Sequence, residues 1–440
     1  MITNTYSPHV GGVARSVQTF TEEFRGAGHR VLVVAPTFPG LDPTVPELDL
    51  VRIPAIQQFN GSDFSVQLPM TALLNGTIED FPAQIVHSHH PYLLGDTALR
   101  IAATKHVPIV FTHHTRYEEY THYVPLDSPA LKQFTIELST QYANLCDAVI
   151  APSESIAQLL RERGVHAPLA VIPTGIDLGL FSGGDSRAFR QEHGIPADRF
   201  VVGHVGRLAL EKNLRFLVRS VAAFLRGTRN SMFLVVGKGP ETEFICAVFE
   251  ELNLTHRMLL AGEKTGRELA NAYAAMDAFV FSSKSETQGL VLAEAMAAGV
   301  PVVALNASGT REIVEDGING RLLPEMASEA EFTQVLKQFK ARTRFRLKCA
   351  QAARRTAENW SKEVCARKLI DYYEAVRQQT RSERQKAKED LWAALLKRIE
   401  VEWGLIAEKA RAVVTALKSA ATSEAEVPAA KTDDAAHEAG

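Results

Sequence analysis

The sequence predicts an α/β protein built from two doubly wound, Rossmann-like parallel-sheet domains facing a cleft, with a helical extension at the C-terminus. Short runs of four to six β-branched and apolar residues without polar alternation recur along the chain, the pattern of strands buried on both faces. These runs alternate with helical stretches, the order that produces parallel sheets from βαβ units. The whole series occurs twice, and 440 residues exceed what one ordinary core organises.

The first series has strands at Val31–Ala35, Ile85–His87, Pro108–Thr112 and Ala148–Ala151, with helices at Val13–Ala27 and Ser153–Arg163. Ser153 suits an N-cap and Gly164 a stop. Only Met1–Thr5 precede the first glycine-bearing loop, so the strand expected there is short. This gives a first domain over residues 1–172. A loop-rich linker follows at 173–198, marked by Gly175, Gly183, Gly184, Gly194 and Pro196.

The second series has strands at Phe200–Val205, Met232–Val236, Met258–Ala261, Ala278–Ser282 and Val300–Ala304, giving a domain over 199–345. Residues 346–376 are expected to close the structure with helices returning toward the first domain. Between 377 and 418, Trp392, Leu395, Leu396, Ile399, Trp403, Ile406, Ala410, Val413 and Leu417 recur at helical spacing among ten basic and six acidic residues, an amphipathic helix. Residues 419–440 lack any core-forming pattern and read as a disordered tail.

Composition narrows the function. Hydrophobic residues at 46% and charged residues at 22% are those of a globular protein. A net charge of −3 offers no basis for nucleic acid as a partner. Cys146, Cys246, Cys349 and Cys365 form no CxxC, which fits reduced thiols rather than zinc or a disulfide. No apolar run approaches the roughly 18 residues of a membrane span, and the start has no signal-peptide pattern. The expected location is cytoplasmic, with peripheral contact at the inner membrane face left open.

The chemistry concentrates in SKSETQGLVLAEAMAAGVPVVA, Ser283 to Ala304. A strand ends at Ser282, a polar loop carries Glu286, Thr287 and Gln288, and a helix begins at Gly289 and Leu290. The uncapped N–H groups and positive dipole of such a start suit a diphosphate. Glu286 stands just outside it, and Glu294 two turns within. Two glutamates at that spacing alone are most often a solvated helix face. In GHVGRLALEKN, Gly203 to Asn213, Gly206 ends a strand and Arg207 and Lys212 flank the next helix, so two cations can offset charge growing on a leaving diphosphate. VVGKGP, Val235 to Pro240, carries Gly237, and SPHVGGVARSV, Ser7 to Val17, opens a helix with Gly11 and Gly12.

Together these segments resemble the retaining glycosyltransferases of family 4, which have the GT-B fold; the resemblance covers roughly residues 2 to 376. It implies transfer of a hexosyl group, with retention and without metal or cofactor, from a nucleotide diphosphate sugar to an acceptor hydroxyl. In it Arg207, Lys212 and Glu286 belong to the catalytic set, together with His114 of FTHHTRYEEY, which contacts the transferring sugar. Gly11, Gly12, Gly206, Gly237, Thr287, Gln288, Gly289, Leu290 and Glu294 bind the donor, Glu294 through the ribose hydroxyls. Family members have a full strand ahead of the Gly11–Gly12 loop, where this chain has Met1–Thr5.

The loops Phe59–Pro69 and His113–Pro125 resemble those of the bacterial members that glucosylate diacylglycerol. Phe59, Phe64, His113, Tyr117 and Tyr120 are thus candidates for an apolar or amphiphilic acceptor. A UDP-sugar donor and a glycerolipid acceptor lead; a soluble sugar or small alcohol comes second. A nucleotide-sugar epimerase, which should lack the Glu286/Glu294 arrangement, and a non-catalytic binding module rank last. The histidines at 87, 89, 90, 113 and 114 have no carboxylate or cysteine at ligand spacing, so no metal is expected. Membrane contact through the basic run Lys337–Lys348 or the tail helix stands beside packing of that helix on the protein itself or a partner.

Overall fold

The computed structural model describes residues 1–8, 11–38, 48–56, 66–67, 76–119, 128–284 and 286–378. Phe59, Phe64, Tyr120 and all but the first two residues of the 377–440 extension and tail lie outside the described residues.

The N-terminal lobe begins with α1 (Gly12–Gly26), β1 (Val33–Pro36) and β2 (Leu50–Ile53), then an antiparallel pair of two-residue strands, β3 (Ala55–Ile56) and β4 (Val66–Gln67). It continues through α2 (Thr77–Asp80), β5 (Val86–Ser88), α3 (Leu94–Thr104), β6 (Ile109–Thr112), α4 (Pro129–Leu145), β7 (Ala148–Ala151), α5 (Glu154–Glu162) and β8 (Leu169–Val171). The short start is enough to join the sheet. Ile2 bridges Val34 on one side and Ser88 on the other, both in parallel, with Ile2 N–H donating to His87 O at 2.8 Å and Thr3 N–H to Val34 O at 3.0 Å. The order is therefore β2–β1–(Ile2)–β5–β6–β7–β8, all parallel. Ser153 caps α5, its hydroxyl accepting from Ile156 N–H at 3.3 Å, and Gly164 follows the helix at φ +89°.

The C-terminal lobe repeats the plan. It comprises α6 (Leu178–Ser182), α7 (Ser186–Glu192), β9 (Phe200–Val205), α8 (Leu214–Gly227), β10 (Ser231–Val236), α9 (Thr242–Glu251), β11 (Met258–Leu260), α10 (Gly266–Ala274), β12 (Ala278–Phe281), α11 (Leu290–Ala297), β13 (Val302–Leu305), β14 (Gly320–Leu323), α12 (Glu329–Ala341) and α13 (Thr343–Glu358). The sheet runs β11–β10–β9–β12–β13–β14, entirely parallel. Alternate residues feed opposite cores: Val201, Phe279 and Val302 meet α6, α7, α10, α11 and α13, whereas Val202, Val280 and Val303 meet α8, α9 and α12. Both faces are covered, which is why these strands are apolar at nearly every position.

Two stretches are organised differently from the sequence-based expectation. The loop-rich linker holds α6 and α7, capped by Asp177 and Asp185, and both pack on α10. A Cβ on Gly184 would lie 2.3 Å from Ala270 O, so this glycine permits close packing rather than freedom. Helix α13 packs on α11 within the second lobe, leaving α14 (Lys362–Gln378) as the helix that returns to α1 of the first. The chain crosses between lobes twice, and the crossings lie side by side: Ile176 N–H donates to Trp360 O at 2.8 Å and Lys362 N–H to Ile176 O at 2.9 Å. No described helix is long and apolar enough to cross a membrane.

Candidate active site

In a doubly wound sheet, ligands bind beyond the strand carboxyl ends where neighbouring strands send their connections to opposite faces. That point lies between β9 and β12 in the C-terminal lobe and between Ile2 and β5 in the N-terminal lobe. The loops leaving these strands meet in a cleft of about 890 Å³. Gly11, Gly12, Arg15 and His114 line one wall; Gly206, Arg207, Lys212, Glu286, Thr287, Gln288 and Leu290 line the other. Motifs far apart in sequence are thus brought together.

The cationic corner is built on backbone. Gly206, at φ +153°, donates its N–H to Val236 O at 3.0 Å, and a Cβ on Gly237 would sit 2.0 Å from Gly206 O. Leu208 N–H likewise donates to Lys238 O at 2.9 Å. The loops after β9 and β10 are therefore fastened together, which fixes where Arg207 starts. Gly237, expected at the donor, does not line the cleft; its place is to let these backbones touch. Lys212 ends a single 3₁₀ turn whose backbone is held by Ser282, its hydroxyl lying 3.1 Å from Lys212 O and 3.0 Å from Asn213 O.

Lys212 Nζ donates to Glu286 Oε2 at 3.1 Å, while Glu286 Oε1 accepts from Gly289 N–H at 3.3 Å. Burial pushes the Glu286 carboxyl up, but the Lys212 charge and the amides of Gly289 and Gln288 outweigh it and hold the group below the usual range. Gly289, at φ +78°, opens α11 without a side-chain cap, and Leu290 and Val291 of its first turn line the cleft. The Gln288 side chain is committed elsewhere, accepting from Thr174 N–H at 3.0 Å. Glu294, only 1% exposed, lies behind the cleft wall and accepts the Tyr273 hydroxyl at 2.8 Å. Its other oxygen is 2.6 Å from Arg15 Nη1, on α1 of the opposite lobe. Neither Arg15 nor Tyr273 stood out in the sequence; the only signal was a lone arginine one turn past Gly12.

His114 reaches the cleft with its ring fixed from behind. Its Nε2 is 2.9 Å from His89 Nδ1, the His89 and His87 ring centroids are 4.0 Å apart, and His87 bonds Thr112 Oγ1 and the Tyr373 hydroxyl. Burial drives the His114 pKa down to about 3 and His89 well below its ordinary value, so the row is neutral at physiological pH. His113 and Tyr117 are buried against each other, His113 also meeting Phe111, and neither lines the cleft. They pack the lobe instead of offering an acceptor surface. Among the described residues, no group of three or more His, Cys, Asp or Glu is placed to hold a metal ion.

Residues 10–180 match the family model Glycosyltransferase Family 4, and residues 185–356 match Glycosyl transferases group 1. The chain is 28% identical over 332 residues to alpha-monoglucosyldiacylglycerol synthase of Acholeplasma laidlawii, covering 73% of this chain and 83% of that one. It is 30% identical over 383 residues to the GDP-mannose-dependent alpha-mannosyltransferase of Mycobacterium tuberculosis, covering 86% and 96%. The crystal structure of Anabaena HepE in complex with UDP and glucose superposes with a TM-score of 0.64 at 21% identity, covering 85% of this chain and 99% of that one. Two facing Rossmann-like lobes with a cationic corner and an open helix start between them define a GT-B glycosyltransferase. The chain belongs to glycosyltransferase family 4.

Proposed function

We propose that this glycosyltransferase moves a glucosyl group from a UDP-sugar to a hydroxyl of a glycerolipid such as diacylglycerol, with retention and with neither metal nor cofactor. The observation that carries the donor half is the convergence of Arg207, Lys212 and the uncapped start of α11 on one cleft. An incoming diphosphate competes with Glu286 for Lys212, and the charge that grows on the leaving group is taken up by Lys212, Arg207 and the helix amides. Glu286, held ionised beside the helix start, is placed to orient sugar hydroxyls. A cleft glycine such as Gly12, where a Cβ would meet no atom within 4 Å, leaves room for close approach of the diphosphate.

The acceptor oxygen attacks the anomeric carbon on the face from which the diphosphate leaves. The carbon–oxygen bond to phosphate breaks as the new glycosidic bond forms, and the acceptor proton passes to the departing phosphate oxygen. His114, with a pKa of about 3, is too weak a base to take that proton and serves as a hydrogen-bonding contact to the sugar. The family 4 relative from Acholeplasma supports the glucosyl and lipid assignments. Peripheral contact on the cytoplasmic membrane face would go through the basic run Lys337–Lys348, where Arg342, Arg344, Leu347 and Lys348 are exposed.

The mannosyltransferase relative, matched over 96% of its length, favours a second reading in which the donor is GDP-mannose. A panel of UDP-glucose and GDP-mannose against diacylglycerol vesicles and water-soluble alcohols, with the product anomer read by NMR, decides between them. An α-glucosyl lipid from UDP-glucose is the expected outcome; turnover confined to soluble acceptors, or an inverted product, overturns it. Arg207→Ala and Lys212→Ala should each lower turnover by about 10²–10³ with the fold intact, as for other preorganised donors to developing charge. A near-normal rate in either variant would count against the phosphate assignment.

A further inference from the structure

Glu294 is where the nucleotide-sugar reading puts the donor's ribose, yet its carboxylate already has two partners of different kinds. Tyr273, fully buried on α10 of the same lobe, donates to Oε2 at 2.8 Å and is a fixed part of the core. Arg15 comes from the other lobe, its side chain is 43% exposed, and it lines the cleft. Its Nη1 lies 2.6 Å from Oε1, a close ion pair. The charge of Glu294 is the leading cause that raises the Arg15 pKa, and the guanidinium stays charged throughout the working range. A ribose edge needs an oxygen that can accept from its hydroxyls. Oε2 already accepts from the Tyr273 hydroxyl and Oε1 faces Arg15, and a residue 1% exposed has no open side there for a guanidinium and a diol together.

We propose that Arg15 and the donor ribose are alternative partners of Glu294: ribose hydroxyls displace the guanidinium, which then turns to the donor's diphosphate. Neutral hydroxyls alone are a poor replacement for a cation at a buried carboxylate. The diphosphate supplies the compensation, because Arg15 shares the cleft with Arg207 and Lys212 and gains an anionic partner there. Arg15 is then a positioning residue that couples ribose recognition to phosphate binding and penalises nucleosides that lack phosphate. This rests on the nucleotide-sugar reading.

Calorimetric titration of uridine and UDP (guanosine and GDP if GDP-mannose is the donor) into the wild-type chain, Arg15→Gln and Arg15→Lys tests the exchange. Arg15→Gln should bind the nucleoside about tenfold more tightly and the diphosphate no more tightly, so that the preference for diphosphate over nucleoside falls by about tenfold or more. Arg15→Lys, with a shorter reach to the same carboxylate, should fall between, and it carries the test if the glutamine variant unfolds. Unchanged or weaker nucleoside binding in these variants, with UDP or GDP binding intact in the wild type, overturns the exchange. Equal gains for nucleoside and diphosphate overturn it too. Failure of the wild-type chain to bind either diphosphate would instead sink the nucleotide-sugar reading and the exchange with it.

Discussion

Glu286 is a half-buried acid kept ionised by Lys212 together with the amides of Gly289 and Gln288. Lys212 supplies the leading counter to the burial that pushes the carboxyl up. Lys212→Met should therefore move the acid limb of the residual pH–rate profile to higher pH. An unmoved limb would mean that Glu286 is not the group titrating. The histidines make a second prediction of definite sign. His90 and His114 have pKa values driven by burial to about 3, and His113 and His204 to about 4, against an ordinary 6.5. Between those values the unfolded chain binds more protons than the folded one. Stability present above pH 6.5 is thus lost as pH falls toward 4, by up to about 1.4 kcal/mol per unit for each histidine. Thermal unfolding measured from about pH 7 to about pH 4.5 should show a steep fall in Tm, and His90→Gln should flatten it. Motifs in the sequence singled out Arg207, Lys212, Glu286 and His114, and all four line the cleft. Arg15 was not singled out, because its meaning depends on Glu294, a residue in another lobe.

At the level of elements, the sequence marked the strands whose burial is complete and, β11 excepted, passed over those at the sheet edges. Strands β6, β7, β9 and β12 are buried at every position and were placed to within a residue. The missed strands β2, β8 and β14 are edge strands that are partly exposed, and β2 and β14 each carry an arginine, so no continuous apolar run announces them. The glycine at 237 was seen but its role was not, since sequence cannot distinguish a glycine facing a ligand from one facing another backbone. Gly237→Ala should place a Cβ 2.0 Å from Gly206 O at a φ of +140°, and the resulting strain should cost about 2 kcal/mol or more. Denaturant unfolding would read it, and a cost under about 0.5 kcal/mol would show that the two loops part easily.

Across the whole molecule, polar side chains form contacts between the lobes. The Glu312 carboxylate in the C-terminal lobe accepts from Ser155 N–H at 2.9 Å, Ser155 Oγ at 2.6 Å and Glu154 N–H at 3.2 Å, completing the start of α5 in the N-terminal lobe. In the linker, Thr174 Oγ1 donates to Ser16 Oγ of α1 at 2.8 Å. Glu312→Ala should cost about 1 kcal/mol and let the lobes part. Small-angle scattering should show a larger radius of gyration, and donor KM should rise more than kcat falls. An unchanged scattering curve with unchanged KM would mean that Glu312 serves α5 alone.

The returning helix has a bearing on how the protein is made. Cys365, Ala366, Leu369 and Val376 of α14 fill the same core as Val17, Phe20, Phe24 and Val33 of the first lobe. A nascent chain leaving the ribosome therefore carries a first lobe with one wall missing until the entire second lobe has been translated. At ordinary elongation rates the gap between Ile172 and Cys365 lasts roughly 10–40 s. During that interval an apolar face is open to holdase chaperones, and truncation before α14 would leave it open for good.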